Sequence, residues 1–286
     1  MKKILVIGSK GMAGHVVKSY LNDLGIYEIW GMARGAEDEG NFIHLDVGKT
    51  EELEQILNEN KFDFVINCIG LLNKTAEDNP EQAIFFNSYF PHFLSALGKK
   101  IGFKLIHIST DCVFSGKEGG YAEDSFKNGI GFYAQSKALG EVVNDRDLTF
   151  RTSIIGPELK SDGIGLFHWF ITQTNPISGY KEAYWTGVTT IELAKAIHEA
   201  IKQELKGLYH LVNGDKIAKY DLLKLFNQTF KENKIPIEGK SDYKVDKSLV
   251  NSRSDFNYEV PSYEAMIEQM KDWMVNHPSF YLHYKF

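Results

Sequence analysis

Four apolar residues, 4–7, stand between Lys2-Lys3 and Gly8, and residues 12–24 then carry apolar side chains at helical spacing. A short buried strand followed by an amphipathic helix is the expected reading. The alternation recurs: strands are expected at 28–32, 42–45, 64–68, 105–108 and 148–151, and helices at 50–60, 80–100 and 133–143. Strands that are apolar on both faces belong in a sheet covered by helices on both sides. The expected class is α/β, a doubly wound parallel sheet of the Rossmann kind, with ligands beyond the carboxyl ends of its strands.

Past Gly156 the rhythm changes. Residues 167–170 are aromatic-rich, and 175–187 mix Pro, Gly and aromatics without clear periodicity. A helix at 190–205, a strand at 208–212 and helices at 220–232 and 263–275 are expected, with 233–261 polar and irregular. This divides the chain into a dinucleotide-binding domain, 1–155, and a smaller mixed substrate domain, 156–286, of which part of 180–210 packs back on the first. No linker separates them, so a shared cleft is expected.

Composition narrows the function classes. Of 286 residues, 32 are basic and 38 acidic, a net charge of -6, which gives no footprint for nucleic acid or an anionic membrane. The apolar run after Met1 stops at Gly8, too short for a signal core or a membrane span, so a cytoplasmic location is expected. Cys68 and Cys112 sit in or beside apolar runs and read as buried free thiols. The histidines lack metal-ligand spacing, and no metal is expected.

The chemistry begins at Gly8-Ser9-Lys10-Gly11-Met12-Ala13-Gly14, between the first strand and its helix. Glycines there let backbone approach a pyrophosphate, and the helix N-terminus offers unpaired N–H groups. At the end of the second strand a carboxylate would hold the ribose of NAD(H), whereas a cation pairs with the 2′-phosphate of NADP(H). The chain reads Trp30-Gly31-Met32-Ala33-Arg34, so Arg34 favours NADP(H); Glu37 or Asp38 would serve NAD(H). Asp46 and Val47 follow the third strand towards the adenine, and Cys68, Ile69 and Gly70 close the fourth.

Tyr133 and Lys137 lie four residues apart, on one face of a helix. A phenol titrating near ~10 moves little proton at neutrality, and an adjacent ammonium should bring it down. Ser109 and Thr110, ending the fifth strand, are placed to offer hydroxyls to the same substrate oxygen.

The glycine turn, the run Ser109-Thr110-Asp111-Cys112-Val113-Phe114-Ser115-Gly116 and the Tyr133–Lys137 pair resemble the extended short-chain dehydrogenase/reductases, in their dTDP-4-dehydrorhamnose reductase-like branch. Ala76-Glu77 to Asn87, Arg151-Thr152-Ser153 and Gly187-Val188-Thr189-Thr190 continue the likeness. The resemblance implies Thr110, Tyr133 and Lys137 as the catalytic set, with Asn87 and Ser109 among the cofactor residues. Tyr133 would protonate a ketone oxygen, Lys137 would hold the nicotinamide ribose and Thr110 would orient the carbonyl. The chain departs at Cys112, where the family has tyrosine, at Ile154, where it has tryptophan, and at Gly129 to Phe132.

The implied activity is NADPH-dependent reduction of the 4-keto group of a nucleotide-activated 6-deoxyhexose other than the dTDP-rhamnose precursor, for surface polysaccharide. Val113, Phe114, Ile154, Trp169, Phe170 and Trp185 are the candidate substrate wall, and Lys160, Lys181 and Arg253 the candidate phosphate cations. Two alternatives stay open: an NAD-dependent epimerase or dehydratase, for which Cys112 removes an expected acid beside Asp111, and a non-catalytic NADP-binding regulatory subunit such as that of methionine adenosyltransferase. A homodimer is compatible with all three. Arg34→Asp should shift preference from NADPH towards NADH, read from the ratio of kcat/KM for the two; an unchanged ratio assigns the phosphate to another group.

Overall fold

The computed structural model describes residues 1–35 and 40–286. Strand β1 (Lys2–Ile7) feeds helix α1 (Met12–Asp23), followed by β2 (Tyr27–Ala33), β3 (Phe42–His44), α2 (Thr50–Asn60) and β4 (Phe64–Asn67). A short α3 (Asn73–Asp78) precedes α4 (Pro80–Ala83), a π-helical stretch (Ile84–Tyr89) and α5 (Phe90–Ile101). Then come β5 (Lys104–Thr110), α6 (Phe132–Leu139) and β6 (Leu148–Thr152). These strands lie parallel, with an edge partner from far along the chain, β10 (Gly207–His210), in the order β10-β6-β5-β4-β1-β2-β3. This is a Rossmann fold, and the order reverses between β4 and β1, the point where such sheets open a crevice.

The remaining elements are β7 (Ile154–Ile155), α7 (Leu166–Ile171), β8 (Ile177–Trp185), β9 (Val188–Thr189), α8 (Thr190–Gln203), β10 (Gly207–His210), β11 (Ile217–Ala218), α9 (Lys219–Lys231), β12 (Ile237–Asp246) and α10 (Tyr263–Asn276). A three-stranded mixed sheet runs β11-β8-β12. Two of its strands fall where the sequence shows no strand pattern. In β8 the inward positions are Ile177, Gly179, Ala183 and Trp185, so small residues hide the alternation. Most of β12 is exposed at the sheet edge, and its polar residues carry no apolar signature.

The expected single helix at 80–100 contains the π stretch, which bulges towards α6. Asn87 Nδ2 donates to Ser136 Oγ (3.1 Å) and Ser88 Oγ to the Ser136 carbonyl (2.8 Å).

The sheet separates two apolar layers. One, with Leu5, Val65, Phe90 and Leu105, lies under α2 and α5. The other joins Ile4 and Phe150 to Phe167, Ile177, Phe226 and Met270, so the elements after Gly156 share one core with the sheet. Among the described residues no helix is long and apolar enough to cross a membrane.

Gly140, closing α6, packs so tightly on the π stretch that a Cβ would lie 1.8 Å from the Asn87 carbonyl oxygen. Gly140→Ala should lower the thermal midpoint by about 5 °C or more. An unchanged melting curve would contradict the contact.

Candidate active site

The chain turns sharply after β1. Gly8 takes φ +78°, its N–H donates to Met32 O at 2.8 Å, and Gly11 N–H returns to Gly8 O at 2.9 Å. A Cβ on Gly14 would meet Gly8 O at 2.1 Å, so only glycine lets α1 start this close to the strand. Gly11 caps α1 with no side-chain bond, which leaves the first N–H groups of the helix directed at the crevice.

The crevice is a cleft of about 730 Å³, and Gly8, Lys10, Gly11, Met12, Arg34, Asp46, Val47, Cys68, Ile69 and Gly70 all line it. Arg34 is mostly exposed, with Nη1 3.7 Å from Asp46 Oδ2, and the Lys10 ammonium lies 4.9 Å above the Phe42 ring. Two expected cofactor residues stand back. Ser9 is buried beneath β2, its Oγ 2.8 Å from where a Gly31 Cβ would be. Asn87 sits behind the wall and bonds both the N–H and the carbonyl of Leu71 (2.8 and 2.9 Å), fixing the segment after β4. Glu37 and Asp38 lie outside the described residues.

A second cavity, of about 450 Å³, shares Gly11, Met12, Cys68, Ile69, Gly70 and Glu158 with the cleft and holds Thr110, Asp111, Tyr133, Lys137 and Ile154. The helix carrying the reacting pair is held at its start: the Glu77 carboxylate, from α3, accepts from the N–H groups of Phe132 (3.0 Å) and Tyr133 (3.1 Å). Acids at helix N-termini answer both the orphan donors and the dipole.

The electrostatics differ from the expected pairing. Burial pushes the Tyr133 phenol above its ordinary value, Cys112 and Asp111 add to this, and the Thr110 hydroxyl pulls against it. Lys137 is turned to the strand: its buried Nζ donates to the Ile108 carbonyl at 2.7 Å. Burial brings Lys137 itself down to about 8 against the opposing pull of Glu141. Ser109 is likewise committed elsewhere: its hydroxyl donates to Glu141 Oε1 at 2.8 Å. That carboxylate also receives Arg151 Nε (2.7 Å), Arg151 Nη2 (2.6 Å) and Lys127 Nζ (3.1 Å).

A third cavity, of about 440 Å³, adjoins Tyr133 on the side away from the glycine turn, walled by Asn73, Glu77, Cys112, Phe114, Lys117 and Lys247. Phe114 stacks on Tyr121 at 4.2 Å, and Val113 is fully buried behind it. The other expected substrate groups lie apart. Trp185 packs into the core against Tyr263, Phe170 is wholly buried, and Trp169 projects from the outer face of α7. Lys181 lies over Tyr220 beside the small sheet, and Lys160 lines the cofactor-sized cleft instead. Arg253 bonds Asp255 and the carbonyls of Lys206 and Leu208 (2.8 and 2.7 Å). Those carbonyls flank Gly207, which pairs with the first residue of β6, so Arg253 sits at the amino end of the sheet, opposite the cleft.

Besides Lys117 and Lys137, the cations that reach the inner cavities are Lys219, at the start of α9, and Lys247, whose Nζ donates to Cys112 Sγ at 3.3 Å. Sequence reasoning passed over both, and also Glu77 and Glu158. Lys247 follows β12 in a stretch without pattern, whereas Glu77 was legible only as part of a family run. Among the described residues no group of three His, Cys, Asp or Glu is placed to hold a metal ion.

Residues 1–251 match the family model described as the RmlD substrate binding domain. The chain is 27% identical over 229 residues to the probable low-salt glycan biosynthesis reductase Agl14 of Haloferax volcanii, covering 76% of each. It is 33% identical over 162 residues to a dTDP-4-dehydrorhamnose reductase of Burkholderia thailandensis, covering 53% of this chain and 49% of that one. The crystal structure of a dTDP-4-dehydrorhamnose reductase from Bacillus anthracis in complex with NADP superposes with a TM-score of 0.80, at 21% identity, covering 96% of this chain and 99% of that one.

The low Lys137 value has a measurable sign. Between pH 8 and 10 the unfolded chain still binds this proton while the buried amine has released it, so folded stability climbs with pH. Relative to Lys137→Met, wild-type unfolding free energy should rise by roughly 2–3 kcal/mol across that window in urea titrations. A constant difference would mean that the amine is solvated.

Proposed function

The chain belongs to the RmlD substrate-binding domain family, and on that premise we propose that it reduces the 4-keto group of a nucleotide-activated 6-deoxyhexose with NADPH. The observation that carries the reading is the continuity of two cavities: the cleft over the glycine turn opens into the one holding Thr110, Tyr133 and Lys137, with Cys68 to Gly70 as their common wall. The residues suit the cofactor. Gly8 and Gly11 leave backbone bare where a pyrophosphate would lie, the N-terminus of α1 has no side-chain cap, and Arg34 stands at the end of β2 for a 2′-phosphate.

NADPH, when bound, supplies the hydride to the carbonyl carbon. The protein handles the proton. With its value raised by burial, the Tyr133 phenol stays protonated at neutral pH and serves as the acid, giving its proton to the ketone oxygen as negative charge develops there. Thr110, whose hydroxyl acts on the phenol and donates to Asp111 Oδ1 at 3.1 Å, would turn to the same oxygen and orient it. Lys137 stands in the same cavity as the ammonium nearest at hand for a cofactor ribose, and water restores the phenol afterwards.

The substrate wall supports a sugar unlike the dTDP-rhamnose precursor. Cys112 beside Lys247 replaces a phenol by a thiol and a cation, and Ile154 replaces an indole. The likeness to a glycan biosynthesis reductase supports a place in the synthesis of a surface polysaccharide precursor.

A panel of dTDP-, UDP-, GDP- and CDP-linked 4-keto-6-deoxy sugars, followed by loss of NADPH absorbance, tests the reading; no consumption with any of them would refute it. Tyr133→Phe should lower turnover by about 10²–10⁴-fold and leave NADPH binding close to wild type. Full turnover by that variant would remove the phenol from the chemistry.

A further inference from the structure

Beyond α10 the chain ends in a short tail, and two of its tyrosines are buried: Tyr281 is 3% exposed and Tyr284 7%. This tail lies outside the family match, which stops at residue 251. Its hydroxyls reach opposite edges of the large cleft.

On one edge the donors and acceptors form a single directed chain. Trp273 Nε1 donates to the Tyr281 hydroxyl oxygen at 3.0 Å, and that hydroxyl lies 2.8 Å from His15 Nε2. His15 Nδ1 lies 2.9 Å from the carbonyl oxygen of Gly11, the residue that caps α1. A carbonyl only accepts, so Nδ1 carries the imidazole proton and Nε2 accepts from Tyr281. Burial presses His15 down to about 4, which keeps this neutral arrangement at ordinary pH.

On the other edge Tyr284 accepts from the Glu158 N–H at 3.0 Å, and its hydroxyl lies 2.7 Å from His168 Nδ1. Glu158 Oε1 in turn accepts from Gly165 N–H at 2.7 Å, which closes residues 158–165 into a compact loop. Glu158, Lys160 and Ile164 of that loop face the glycine turn across the cleft. One turn of tail joins the two anchors, since Tyr284 N–H donates to Tyr281 O at 3.0 Å.

We infer that the tail is a strap whose two tyrosine hydroxyls set the position of both lips of the cleft, the glycine turn through His15 and the 158–165 loop through Glu158. Its bearing on cofactor affinity rests on the reading of this cleft as the NADPH site. Tyr281 and Tyr284 are positioning residues: Tyr281 acts on Gly11 through His15, Tyr284 holds Glu158, and neither tyrosine lines the cleft.

Tyr281→Phe and Tyr284→Phe keep the rings and remove only the hydroxyls, so the full-length variants should stay folded. Hydrogen exchange read by mass spectrometry should then be segment-specific. Tyr284→Phe should speed exchange in 158–165 about tenfold while leaving 8–15 unchanged, and Tyr281→Phe should do the reverse. Each should raise the NADPH dissociation constant about five-fold, with kcat at saturating NADPH within about two-fold of wild type. Unchanged exchange in both segments, or an equal rise in both with either variant, would overturn the strap. Segment-specific exchange in the two variants, with a wild-type protein that does not bind NADPH, would uphold the strap and discard the cofactor reading.

Discussion

Glu141 leaves the end of α6 and carries its carboxylate between β5 and β6, where Ser109, Lys127 and the Nε and Nη2 of Arg151 bond it. Arg151 is itself 1% exposed, lies 5.0 Å over the Phe114 ring and reaches His210 on β10 at 2.7 Å. One buried acid therefore joins the strand that ends in Thr110, the helix bearing Tyr133 and Lys137, and the edge strand supplied from residue 207 onwards. A buried ion pair gives little net stability, because desolvation offsets attraction, but removing one partner strands the other at a cost of about 3–5 kcal/mol. What it contributes here is placement. Thr110, Tyr133 and Lys137 are held to this buried charge from behind, and the Glu77 cap holds the helix of the last two from in front.

Burial acts in opposite directions on the two reacting groups. It disfavours phenolate and ammonium alike, so Tyr133 rises and Lys137 falls. A simple pairing argument treats the ammonium as an agent that acidifies the phenol. In the folded protein the ammonium donates to the Ile108 carbonyl, and burial keeps the phenol protonated.

The legible parts of the sequence were those where a single residue type has one physical use. The strand-helix alternation of the first half, the glycine turn and the Tyr133–Lys137 spacing all have this character, and the structure gathers them around one crevice. Three kinds of feature escaped. Strands β8 and β12 lack apolar alternation because one hides it behind Gly179 and Ala183 and the other stands in solvent. The roles of Ser109 and Asn87 depend on which way a side chain turns at a strand end or a π bulge, which spacing does not encode. Arg253, Trp169 and Trp185 were chosen by residue type alone, and their distance from the cavities follows from topology. Lys219 and Lys247, which do reach those cavities, lie on elements whose placement only the tertiary fold reveals.

The apolar layer that runs without a break from Ile4 and Phe150 into Phe226 and Met270 bears on how a ligand is selected. Two lobes on a hinge can discriminate by clamping down on whatever fits. Here a continuous oily interior would have to be split to open the molecule, at a cost far above thermal energy. A molecule must therefore enter by sliding in along the strand ends, past fixed side chains that already line the cavities, Cys112, Lys247 and Ile154 among them.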